Sequence, residues 1–191
     1  MGISPLPRSG PHRRCHAEGR SLEYCQFTFG VATTSRGTVV GELQGMRGTL
    51  TCEVGCRSDG STHWAQGRVQ SERGEMSWTV HREESGIWLV NGEPQPRLAN
   101  CQDVDIGVTP ATNTLPIRRI GLQVRASQTF SAAWVRFPEL TVEPLGQRYT
   151  RLSSDVYRYE SLQSGFQATL RVDEQGIVQD YFGLWSILST N

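Results

Sequence analysis

Apolar residues in this chain fall in short alternating groups, with almost no helical stripe. In Phe166-Gln167-Ala168-Thr169-Leu170-Arg171-Val172 every second side chain is apolar, a period of two that turns one face to a core and the other to water. Segments of this kind, broken by Gly, Asp and Ser, occupy 38–43, 49–54, 67–71, 76–82 and 86–90. Others occupy 120–125, 129–137, 140–143, 147–152, 156–161, 166–172 and 177–180. Only 114–120 reads as a helix, with Thr114 as its cap, Pro116 in its first turn and Leu115, Ile117 and Ile120 apolar. One helix against so many strands predicts an all-β fold on an amphipathic antiparallel sheet.

Residues 1–14 follow neither period and carry three prolines, so they are expected to form a flexible N-terminal extension to a single β domain over 15–191. The domain resembles itself at an offset of 90 residues. Leu50-Thr51-Cys52-Glu53 faces Leu140-Thr141-Val142-Glu143, and Glu84-x-Gly86-Ile87 faces Glu174-x-Gly176-Ile177. Arg68, Ser71 and Thr79 face Arg158, Ser161 and Thr169. Two pseudo-repeated halves, 50–90 and 140–180, are therefore expected to share a strand order within one curved sheet.

Charge narrows the function classes. The 191 residues carry 19 basic and 19 acidic side chains, which gives no basic surface for counterion release and argues against nucleic acid. Every basic residue is arginine, which excludes Schiff-base and P-loop lysines. No stretch approaches the roughly 18 apolar residues of a membrane span, and the first six residues lack the apolar core of a signal peptide. A cytoplasmic location follows as an expectation. Five irregularly spaced cysteines suit reduced thiols better than a disulfide framework.

Cys52, Cys56 and His63 offer a metal reading, but the two sulfurs would lie about 13 Å apart on an extended strand, so neither metal nor other cofactor is expected. The densest polar chemistry lies in 101–119. There Asp103 and Asp105 share one strand face, a turn rich in Thr, Pro and Asn follows, and Arg118 and Arg119 return. Two readings stay open. The arginines grip an anionic head group while the carboxylates accept hydroxyls, or the four charges pair with one another and fix a long loop. Trp64, Trp78, Trp88, Trp134, Tyr159, Tyr181 and Trp185 either line a pocket or fill the core. No nucleophile elbow or metalloprotease motif occurs, which leaves a hydrolase-like use of Asp103 and Asp105 as the enzymatic alternative.

The run from Asp103 to Arg119, with Ala133-Trp134-Val135-Arg136-Phe137-Pro138, Leu140-Thr141-Val142-Glu143-Pro144-Leu145, Tyr157-Arg158-Tyr159-Glu160-Ser161 and Gly183-Leu184-Trp185, resembles a bacterial glycolipid-binding family. The likeness is strong over 87–185 and looser over 15–86, through Glu23, Cys25, Gly41 and Cys56. The resemblance implies a spiral β-roll wrapped around a short helix, homodimers, and a glycolipid or other amphipathic ligand in the concave face. It supplies no catalytic residue. The ligand-binding positions it implies are Asp103, Asp105, Thr109, Asn113, Arg118 and Arg119, to which the aromatic reading adds Trp134, Tyr159 and Trp185. A dimerising interaction module without a small ligand is the main alternative.

Overall fold

The computed structural model describes residues 10–188. Its strands are β1 (His12–His16), β2 (Ser21–Thr28), β3 (Thr34–Glu42), β4 (Arg47–Cys56), β5 (Thr62–Ser71), β6 (Gly74–Arg82), β7 (Trp88–Val90) and β8 (Glu93–Pro94). After a 3-10 turn at Pro96–Leu98 come β9 (Cys101–Ile106), a second 3-10 turn (Pro110–Asn113) and the helix α1 (Thr114–Ile120). The chain ends with β10 (Ser127–Arg136), β11 (Thr141–Arg151), β12 (Val156–Ser161), β13 (Gln167–Val172), β14 (Val178–Tyr181) and β15 (Trp185–Ile187).

All fifteen strands belong to one curved, unclosed sheet. Its order grows outward from the middle, where β1 lies between β2 and β15. One meander runs from β2 to β8 at one end, and the other runs from β15 back to β9 at the opposite end. Among the described residues only β9 and β10 pair in parallel, and parallel neighbours need a crossover of a dozen or more residues. The second 3-10 turn and α1 fill that connection, so the helix expected at 114–120 exists because the topology requires a crossover there.

Curvature brings β9 back against the opposite half. The Val104 amide donates to Thr62 Oγ1 at 3.0 Å, and the Trp88 indole donates to the Cys101 carbonyl at 3.1 Å. Where they pair, at 103–106 and 132–135, β9 and β10 are therefore covered on both faces, with Val104, Ile106, Ala133 and Val135 buried on one side and Asp103 and Ala132 on the other. Their parallel register sets Asp103 beside Ala132 and Asp105 beside Trp134. Three tryptophans lie over glycines of neighbouring strands or loops: Trp64 over Gly55, Trp78 over Gly67 and Trp134 over Gly107. The missing Cβ lets each indole approach the backbone closely.

Several boundaries differ from those expected. Residues 12–14 belong to β1 rather than to an extension, because Arg14 is fully buried and ion-paired to Glu23, a placement that hydropathy reads as surface. Residues 1–9 lie outside the described residues. No strand forms at 120–125, where Gly121, at φ 57°, ends α1 by donating to the Ile117 carbonyl at 3.2 Å. The segments 140–143 and 147–152 merge into β11 across Pro144. This is tolerated because β12 pairs only with Gln147–Arg151, which leaves Pro144 with no ladder donor to supply on that side. The two turns aligned by the 90-residue offset carry the same bonds: Glu83 N to Ile87 O and Gly86 N to Glu83 O, then Asp173 N to Ile177 O and Gly176 N to Asp173 O.

Candidate functional site

Thr109 organises the crossover. Its hydroxyl accepts the Ala111 amide at 3.0 Å, which makes it the cap of the whole 3-10 and α segment in place of Thr114. The same hydroxyl donates to Glu23, whose other oxygen meets the buried Arg14 guanidinium. Arg14 Nε in turn donates to the Val178 carbonyl at 2.9 Å, and the Val178 amide donates to Thr114 Oγ1 at 3.1 Å. Strands β1, β2 and β14 thereby hold the loop that follows β9.

Beside this loop lies a cavity of about 330 Å³. Asp105, Thr109, Asn113, Trp134, Tyr159 and Trp185 line it, together with Gln44, Leu145, Gln163, Phe166 and Tyr181. Six of the nine residues expected from the sequence thus meet in one space. Asp105 accepts from Gln147 Nε2 at 2.5 Å and from Thr112 Oγ1 at 3.3 Å, and it forms no ion pair among the described residues. Burial pushes its carboxyl up to about 6, against the opposing pull of those two donors. Gln147 also donates to the Tyr159 hydroxyl at 3.3 Å, and Tyr149 donates to Asn113 Oδ1 at 2.6 Å. Burial raises the Tyr159 and Tyr181 phenols well above the ordinary tyrosine range, and the neighbouring Asp105 adds to this.

The aromatic wall is continuous. Tyr149 and Tyr159 meet edge to face at 5.3 Å between centroids, Tyr159 lies 6.2 Å from Tyr181, and Phe166 stacks on Tyr181 at 6.4 Å. Phe166 is 42% exposed and stands at the mouth. Such a space can stack the C–H face of a ring on aromatic surfaces while carboxylate and amide oxygens accept its hydroxyls. A second groove of about 460 Å³ crosses the outer face of β2 to β6, lined by Tyr24, Cys52 and Trp78 together with Thr38, Thr51, Thr79 and the Arg36–Glu53 pair. It holds none of the nine expected residues.

The sequence profile of a family described as "Putative glycolipid-binding" matches residues 15–186. The chain belongs to this family. A solved relative, the crystal structure of a DUF1089 family protein from Pseudomonas aeruginosa, is 32% identical over 98% of each chain, with a TM-score of 0.77. No curated protein matches the chain.

The three remaining positions lie outside the aromatic cavity. Arg119 grips Asp103 with a fork, Nε to Oδ1 at 3.0 Å and Nη2 to Oδ2 at 2.6 Å, and the Asp103 side chain is 1% exposed. The two aspartates sit side by side on the strand but do different things, since both oxygens of Asp103 face a guanidinium and only Asp105 faces the cavity. Arg118 forms no ion pair among the described residues. It donates to the Gln175 carbonyl and lies 3.8 Å over the Phe29 ring. Arg118 and Arg119 instead line a separate cleft along the Leu115–Arg118–Arg119 face of α1. Gln147 and Phe166 escaped the sequence reading, although the period of two through 147–152 already placed Gln147 on the face of Tyr149. The five cysteines carry free thiols. Burial pushes Cys25, Cys56 and Cys101 up to about 12, so these thiols hold their protons at neutral pH.

Proposed function

We propose that this member of the glycolipid-binding family binds an amphipathic ligand whose sugar head occupies the aromatic cavity, without chemical conversion. One observation carries the reading: a cavity of about 330 Å³ gathers Trp134, Tyr159, Phe166, Tyr181 and Trp185 around one carboxylate, Asp105, that has no cationic partner among the described residues. Its size reaches the lower end of small-molecule sites, on the order of 300 Å³, which suits a single ring. The exposed Phe166 extends apolar surface outward, where an acyl chain would follow. Calorimetric titration with octyl glucoside below its micelle concentration, beside glucose and octanoate as fragments, tests this. Saturable binding of the glycoside, weakened at least about tenfold by Trp134→Ala, supports the reading. No saturable heat from any alkyl glycoside would overturn it.

Self-association is favoured by a different observation. Leu22 and Val40 sit directly opposite each other on β2 and β3 and are 53% and 50% exposed, with Tyr24 beside them at 45%. Contiguous apolar surface on a sheet face is a common dimer contact. Light scattering should show a dimer that Val40→Glu converts to monomer, and a monomeric wild-type protein at high concentration would dismiss this second reading.

A further inference from the structure

We propose that the cleft along the Leu115–Arg118–Arg119 face of α1 is an anion site in which Arg57 and Arg118, supported by Arg119, hold a phosphate group. The turn between β4 and β5 builds one wall. It is closed by Arg57 N to Ser61 O at 2.8 Å and Gly60 N to Arg57 O at 3.0 Å. Gly60, at φ 84°, packs so closely on Arg119 that a Cβ there would come within 3.1 Å of the Arg119 Cβ and Cγ. The turn is thereby seated on the helix, and Arg57, Arg118 and Arg119 face one cavity of about 250 Å³.

Charge in this cleft is not closed. Asp103 neutralises Arg119. Asp59, the acidic residue of the lining, is exposed, and it is held below the ordinary carboxylate range chiefly by the hydroxyl and amide of Ser61 and then by Arg82 and Arg57. Arg57 and Arg118 form no ion pair among the described residues. Arg57 donates through one terminal nitrogen to the Arg82 carbonyl, while its Nε is buried without an acceptor. Phe29 and the Gln175 carbonyl fix the Arg118 guanidinium. A buried donor with no acceptor is costly, and a tetrahedral oxyanion offers acceptors to several planar guanidinium donors at once. This cleft shares no lining residue with the aromatic cavity, so the anion site and the sugar reading can fail separately.

The test uses the whole protein at low salt, titrated calorimetrically with inorganic phosphate, with glucose 6-phosphate, and with phosphatidylcholine vesicles in which roughly one lipid in five is phosphatidic acid, a mildly anionic surface. At least one probe should bind saturably. Arg57→Gln and Arg118→Gln should each weaken it by about tenfold or more, the worth of one charge-assisted hydrogen bond. Arg36→Gln, on the outer face, should leave binding unchanged, and Asp59→Asn should tighten it. Binding of the soluble probes assigns a free phosphate ligand, and binding confined to the vesicles assigns a lipid head group. Silence from all three, or undiminished binding by an Arg118→Gln protein whose circular dichroism matches wild type, overturns the proposal.

Discussion

Asp105 keeps a proton more readily in the folded chain than in the unfolded one, and stability must answer to that. Its folded value of about 6 lies above an unfolded value of about 3.9, so between those pH values the native state binds more protons. Stability from this group is fullest below about pH 4 and declines as pH rises toward 6. Asp105→Asn should therefore stabilise the protein at pH 7.5, by at most about 3 kcal/mol, with the gain fading by pH 4. Urea unfolding at the two pH values measures this, and an equal effect at both would contradict it. Glu23 answers to the opposite logic. Its removal strands a fully buried arginine and frees the Thr109 hydroxyl, so Glu23→Ala should cost about 3–5 kcal/mol and lower the denaturation midpoint.

At the scale of elements, the glycine and tryptophan pairs set how closely strands and loops can approach. A methyl group on Gly67 would come within 2.6 Å of the Trp78 ring, and one on Gly107 within 2.8 Å of Trp134. Gly67→Ala should destabilise by about 1–3 kcal/mol through overpacking, which scanning calorimetry would show as a lower melting temperature. A smaller ring, as in Gly67→Ala with Trp78→Phe, should recover part of the loss, and no recovery would argue against the contact. Local pattern located α1 at its observed bounds and most strands to within a few residues, because period and cap chemistry act over a few neighbours. It missed β2, where Glu23 interrupts the buried row of Ser21, Cys25 and Phe27. It also placed the cap at Thr114, since only the crossover shows that Thr109 opens the segment.

Over the whole molecule, the all-β class was legible and the strand order was not. Antiparallel hairpins follow from adjacent segments, whereas the pairing of β1 with β15 joins residues near opposite ends of the chain and leaves no local trace. The same distance explains the partition of the expected site. Asp105, Trp134, Tyr159 and Trp185 converge through sheet curvature, while Arg118 and Arg119, close to Asn113 in sequence, are carried along the helix to another cleft. Removal of residues 10–16 should abolish cooperative unfolding rather than merely lower stability, because β1 is the hinge strand between two meanders. A retained single sharp transition would show that β2 and β15 can pair without it.

The position of that strand also bears on how the protein is made. Synthesis is vectorial, and β1 leaves the ribosome long before β15. Until residues 185–187 emerge, β1 presents an open edge, and until Val178 emerges Arg14 lacks the carbonyl it binds. The first meander must therefore wait, half paired and open to chaperones or to a neighbouring nascent chain, for the last strand to arrive and seal the middle of the sheet.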